Sequence, residues 1–221
     1  MSVFILNIET TTTNCSVSIS KDGILIGLKQ DADSNYSHAE SLHVFIESLL
    51  KECGVDKSSI SAVAISEGPG SYTGLRIGTS SAKGICYALD IPLIATSTLR
   101  GLAMKVSQMD GIIIPMLDAR RKEVYSGVFD GDMNSLREIQ AQILDDQSFS
   151  EYLNSNKVYF IGNANKKASE IINHPNAHFL EPKLPSSKEM VDLSYRKFIA
   201  KDFVDVAYYE PLYLKEFKAN H

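Results

Sequence analysis

Four groups of residues in this chain have the types and spacing that could do chemistry. Glu9 closes an apolar run and is followed by Thr10, Thr11, Thr12 and Thr13. An acid at a strand end beside hydroxyls is where a phosphate-handling fold holds a metal-bound nucleotide. The same residues also suit a hairpin turn whose threonines bond the backbone. The segment Glu67 to Gly78, EGPGSYTGLRIG, puts Gly68, Gly70, Gly74 and Gly78 at a strand exit and along a helix start. Free backbone N–H groups there could cradle an anion. The segment lacks the lysine and hydroxyl of GxxxxGK[ST], it does not spell GxGxxG, and the serine elbow GxSxG is absent. His38 and His43 are five residues apart, about 140° around a helix, whereas a helical metal pair needs i, i+4 spacing. Position 42 is leucine, so no metal site is expected. Asp118, Arg120, Arg121 and Glu123 make a charged hairpin, DARRKEVY, without the glycine a second phosphate hairpin would need. An internal Asp118–Arg120 ion pair or a role facing a partner would each account for it.

These groups must be held by regular elements, and the patterning supplies them. Residues 3–8, 16–20 and 24–29 read as strands joined by turns, followed by a helix over 37–53 with Leu42, Phe45, Ile46, Leu49 and Leu50 at helical spacing. A buried strand over 62–66 runs into the glycine loop, then a helix over 73–89 and a strand over 91–95. A second passage begins near residue 111, with strands 112–117, 123–129 and 158–161 and helices 165–172 and 188–203. The aromatic tail 207–217 reads as an extended segment packed on the body. The repeated order predicts an α/β protein of two similar lobes, 1–108 and 109–221. In the helix after the glycine loop, Gly74, Gly78 and Ala82 recur every four residues beside Ser81. Such a face lets another backbone come close. Either the chain's own sheet or a helix of another subunit fits it.

Composition narrows the function classes. With 221 residues, 44% of them apolar and 22% charged, the chain is an ordinary soluble protein, and disorder is excluded. No run approaches the ~18 apolar residues of a membrane span, and the start lacks a basic region before a long apolar block, so a cytoplasmic location is expected. Cys15, Cys53 and Cys86 show no CxxC spacing and read as small apolar core residues. The net charge of −5 arises wholly in residues 1–67, which hold four lysines, no arginine and nine acids. A chain without a basic excess is a poor holder of RNA by itself.

Four runs together resemble the TsaB (YeaZ) family: IETTTTNCSVSI at the start, SEGPGSYTGLRIG at 66–78, LDARRKEVY at 117–125 and EPLYLK at 210–215. The resemblance implies the two-lobed actin-like, sugar-kinase-like (ribonuclease-H-like) fold, each lobe a mixed sheet with helices. It also implies a non-catalytic scaffold in tRNA threonylcarbamoyladenosine formation, pairing with a catalytic TsaD-like paralogue and joined by a TsaE-like ATPase. ATP would be used by the complex, no cofactor or metal would be bound by this chain alone, tRNA would be met through the complex, and homodimers could form. The implied partner interface comprises His38, Leu42, Phe45, Leu49, Tyr72, Gly74, Arg76, Gly78, Ser81 and Ala82. Residual nucleotide or anion contacts would fall to Glu9, Thr10 and Thr12. The departures agree with a non-catalytic role: His38 matches the first member of the paralogue's helical HxxxH pair but Leu42 replaces the second, Glu9 replaces the commoner Asp, and the second phosphate hairpin lacks glycine. The alternative is an active ATPase or phosphotransferase of the same fold.

Overall fold

The computed structural model describes residues 2–32, 38–181 and 183–215; Ser37, at the expected start of the first helix, and the end of the tail past Lys215 lie outside them. Strands β1 (Phe4–Glu9), β2 (Cys15–Lys21) and β3 (Ile24–Asp31) form an antiparallel meander. The β2–β3 corner is tight because Asp22 and Gly23 both take left-handed backbone, φ 51° and 79°, as a two-residue hairpin of this hand requires. Then follow α1 (His38–Cys53), a 3-10 turn (Lys57–Ser59), β4 (Ile60–Ser66), α2 (Tyr72–Leu89), β5 (Leu93–Thr96) and α3 (Thr98–Met104). The remainder comprises β6 (Ile112–Asp118), β7 (Glu123–Asp130), β8 (Ser135–Ile143), α4 (Ser150–Leu153), β9 (Val158–Ile161), α5 (Asn165–Ser169), β10 (Ala177–Phe179) and α6 (Ser187–Ala200).

The two sheets have one plan. The first runs β3-β2-β1-β4-β5 and the second β8-β7-β6-β9-β10. In each, three antiparallel strands are followed by two that lie parallel to the first strand of the meander. This is the expected α/β plan of two lobes, each a mixed sheet with helices. Strand β8 was not anticipated: SLREIQAQI carries too many polar residues to read as a strand, because it is an edge strand with one exposed face.

The chain does not divide at residue 108. Among the described residues, one compact unit lies within 1–98 and 185–213, and the other within 99–184 with Leu214 and Lys215. The cause is α6, which packs on the first sheet. Its Met190 joins Ile5, Ala62, Ala64 and Ile94. Beside them runs a seam of hydroxyls: Ser16 Oγ lies 2.8 Å from Ser187 Oγ, Ser18 Oγ donates to Ser187 O at 2.9 Å, and Ser194 Oγ donates to Asn7 Oδ1 at 2.6 Å. Serines let helix and sheet approach closely, and each of these buried groups is hydrogen-bonded, so burial carries no unmet desolvation cost. The opposite face of the same sheet buries Leu6, Ile8, Val17, Ile19 and Ile65 under α1 and α2.

Candidate functional site

The hydroxyl turn after β1 is committed to the protein's own backbone. Glu9, Thr10 and Thr12 are all buried. Glu9 Oε1 accepts from Thr11 N at 2.6 Å and Thr11 Oγ1 at 2.5 Å. Thr10 Oγ1 donates to Gly74 O at 2.8 Å, Ser71 N donates to Thr11 O at 2.7 Å, and His38 Nε2 lies 2.6 Å from Thr12 O. The glycine loop is likewise closed on itself: Gly68 N donates to Thr98 Oγ1 at 3.0 Å, and Ser71 Oγ accepts from Gly74 N as the N-cap of α2. The turn and loop thus clasp each other, and the backbone-bonding reading of the threonines holds.

The direction of the small-residue row on α2 is also decided. Gly74, Gly78 and Ala82 are buried against the chain's own β1 turn and β4. A Cβ on Gly74 would strike Thr10 O; one on Gly78 would strike Thr10 Oγ1 and come within 2.9 Å of Ile65 Cδ1. Leu42 and Leu49 are core residues of the same cluster. These five cannot meet a partner as expected, because the sheet beneath has already taken the close approach that small residues allow. Of the other expected interface residues, Arg76 is exposed, and His38, Phe45, Tyr72 and Ser81 are half-buried.

What α2 presents outward is a second row, Ser80, Gly84 and Ala88, again four residues apart and exposed throughout. Nothing lies within 4 Å of a Cβ built on Gly84. The row borders α1, whose His43 Nε2 meets Ser81 Oγ at 3.2 Å. Next to it lies a groove of about 280 Å³, lined by Leu6, Ile46, Leu50, Ile60, Ile85 and Leu89, with His43, Glu47 and Lys57 contributing its polar lining. Val44 and Tyr87 stand 62% and 87% exposed on the two helices. A shallow apolar groove beside a row without side-chain bulk is shaped to receive a helix.

The remaining polar candidates are structural. Asp118 forms its ion pair with Lys167 at 2.8 Å, while Arg120 is held through its backbone N, which donates to Asp118 Oδ1 at 2.6 Å, in place of the expected Asp118–Arg120 ion pair. Lys167 Nζ also donates to Arg121 O and Glu123 O, while Arg120 and Arg121 turn the hairpin with φ 70° and 51°. Burial pushes the Cys15 and Cys86 thiols up to about 11, the direction opposite to an activated nucleophile. Among the described residues no group of three or more His, Cys, Asp and Glu is placed to hold a metal ion, and no helix is long and apolar enough to cross a membrane.

After α6 the chain returns over the first sheet as a strap with almost no regular structure. Val204 N donates to Leu93 O at 3.0 Å, Lys83 Nζ donates to Ala207 O at 2.9 Å and Tyr209 O at 3.2 Å, and Leu212 N donates to Glu67 O at 2.7 Å. Gly68 is glycine because φ is 114° and a Cβ would come within 2.8 Å of Leu212 O. Burial raises the Glu67 carboxyl above its usual value, with Lys197 opposing and Asp202 adding. A folded-state pKa above the unfolded one means the protonated form is favoured, so the stability it contributes is lost as pH rises through that raised value. Glu67→Gln should therefore raise the thermal midpoint above neutral pH and leave it unchanged at about pH 4, below the ordinary glutamate value; melts across pH check this.

Comparison with known proteins bears on the family. The family model described as TsaD, tRNA N6-adenosine threonylcarbamoyltransferase, matches residues 32–208. The chain is 26% identical to the tRNA threonylcarbamoyladenosine biosynthesis protein TsaB of Escherichia coli over 96% of its length and 94% of that protein. This chain belongs to the TsaD-related TsaB/YeaZ family. The TsaB protein of Bacillus subtilis is 34% identical over 57% of this chain and 54% of that protein. A Pseudomonas aeruginosa crystal structure, described as an uncharacterized protein with similarity to peptidase YeaZ, is 25% identical, covers 96% of this chain and all of that one, and superposes with a TM-score of 0.85. The TsaB/YeaZ assignment thus spans both units described above.

Proposed function

We propose that this TsaB homologue acts in tRNA threonylcarbamoyladenosine formation as a non-catalytic scaffold and activator. It docks the exposed α1–α2 face onto a catalytic TsaD-like paralogue, which places threonylcarbamoyl on N6 of the adenosine beside the anticodon. The observation that carries this reading is the pairing of an outward Ser80–Gly84–Ala88 row and its groove with a hydroxyl turn spent on internal bonds. One side offers a protein-docking surface, and the other holds its turn by internal bonds, which favours a scaffold over an ATPase or phosphotransferase of the same fold. ATP is then used by the complex, through a TsaE-like ATPase, and this chain alone takes no nucleotide. The tRNA is held through the partner, in keeping with the acidic first 67 residues. The same face would serve a homodimer when the partner is absent, and the assembly would work in the cytoplasm. Reconstitution tests the proposal: tRNA modification by the partner proteins should fall to background when this chain is omitted and return on its addition. Modification at the full rate without it would refute the scaffold role.

A further inference from the structure

The hairpin between β6 and β7 carries three consecutive cations, Arg120, Arg121 and Lys122, all exposed. Its structural bonds use the acids and the backbone beside them and leave those three side chains out. Asp118 Oδ1 accepts from Arg120 N and from Lys167 Nζ, which also donates to Arg121 O at 3.0 Å and Glu123 O at 2.6 Å. The Glu123 carboxylate is bonded by Lys215 Nζ. Two lysines distant in sequence thus neutralise the hairpin's own acids. Among the described residues, Arg120, Arg121 and Lys122 themselves form no ion pair. The end of β8, where Leu144 N donates to Lys122 O, brings Asp145 and Asp146 nearby. Asp145 is hydrogen-bonded in its own turn by Gln147 N at 3.1 Å and Ser148 Oγ at 2.8 Å, so of these four acids only Asp146 has no such bond.

The backbone at the tip runs against the residues placed there. Arg120 and Arg121 have φ 70° and 51°, left-handed backbone that costs a residue with a Cβ about 1–2 kcal/mol and that glycine takes freely. Arginine at two such positions in succession gives up stability to hold two guanidinium groups at the tip. A guanidinium is always charged, and its planar fork of donors fits phosphate oxygens. We propose that the Arg120–Lys122 tip contacts the phosphate backbone of the tRNA while the catalytic partner holds it. This rests on the scaffold reading above and adds to it a direct RNA contact by this chain. Three adjacent cations whose neighbouring acids are already paired match a run of phosphates, and such contacts position an RNA without reading its sequence. The charge distribution agrees: the acidic excess lies in residues 1–67, while residues 68–221 hold 18 basic and 18 acidic side chains. The tip therefore adds to a grip that the partner supplies.

The test is the affinity of an unmodified tRNA transcript for the complex of the full chain with the catalytic paralogue, measured by fluorescence anisotropy over a salt series. Arg120→Asn combined with Arg121→Gly removes both guanidinium groups and relaxes the turn. Binding should weaken roughly 30-fold at about 0.1 M salt, and the slope of log K against log salt should become shallower by about 1.5, as for two lost phosphate contacts. The free double variant should melt above wild type, since the strain at both positions is relieved. Lys157→Gln, an exposed cation at the opposite end of β9, should leave the affinity unchanged. Wild-type affinity in the double variant refutes the inference, and so does an equal loss with Lys157→Gln, which would make the effect one of overall charge. If the double variant instead fails to bind the paralogue, the tip docks an acidic protein surface and the RNA contact is overturned. If the wild-type chain and the paralogue do not co-elute without tRNA, the scaffold reading falls and this contact with it.

Discussion

Replacing Gly84 by tryptophan should abolish association with the catalytic paralogue while the free chain melts at or slightly above the wild-type temperature. The free chain is unharmed because Gly84 faces open space, with nothing within 4 Å of a built Cβ. It sits well inside an 18-residue helix, where glycine is a poorer helix former than tryptophan by about 0.5 kcal/mol. A docked helix, in contrast, would have to give up the close approach that an absent side chain permits. Even 4 kcal/mol of lost interface energy weakens binding about 10³-fold. Calorimetric titration and a thermal melt on one preparation measure both halves, and an unchanged dissociation constant would mean the partner lies elsewhere.

The opposite outcome is expected one row around the same helix. Gly78→Leu should leave little folded chain, and even Gly74→Ala should cost about 3 kcal/mol, at the top of the usual range for overpacking a core. At Gly74 the first atom met is the backbone oxygen of Thr10, which cannot rotate away. At Gly78 the added atoms meet Thr10 Oγ1 and Ile65 Cδ1 together. Both would pry the hydroxyl turn from α2 and break the Thr10–Gly74 bond at the helix's first turn. Urea denaturation of Gly74→Ala against wild type gives the cost directly; a loss under 0.5 kcal/mol, the range of surface substitutions, would contradict the packing described.

These paired substitutions mark where the sequence was legible and where it was not. The meander, both long helices, the strand before the glycine loop and the doubled order all follow from hydrophobic period and turn residues. The spacing of Gly74, Gly78 and Ala82 correctly announced a flat face, but spacing alone does not say which way a face points. A signal was present: the same row runs on to Cys86 and is flanked by Leu75, and both are buried. A row ended by a buried thiol belongs to the core, which leaves Ser80, Gly84 and Ala88, roughly 160° away at about 100° per residue, for the outside. Nothing local assigned α6 to its sheet. Its serines answer Ser16 and Ser18 on β2 across some 170 residues of chain, a match of hydroxyl with hydroxyl that periodicity cannot register. Asp118 was paired with its neighbour in the hairpin because Lys167 is distant in sequence, although it is adjacent in space.

The return of α6 and the strap to the first sheet sets the order in which the protein can be completed. Residues 99–184 form an insertion between the two stretches that build the first unit. During synthesis, Ile5, Ala62, Ala64 and Ile94 wait uncovered until Met190 has been made, and the loop that starts α2 lacks its Leu212 contact until later still. The first hundred residues of a nascent chain therefore cannot complete the first unit, although α1 and α2 are already present in them. Residues 185–213 make the first unit whole only after the inserted residues 99–184 have been made.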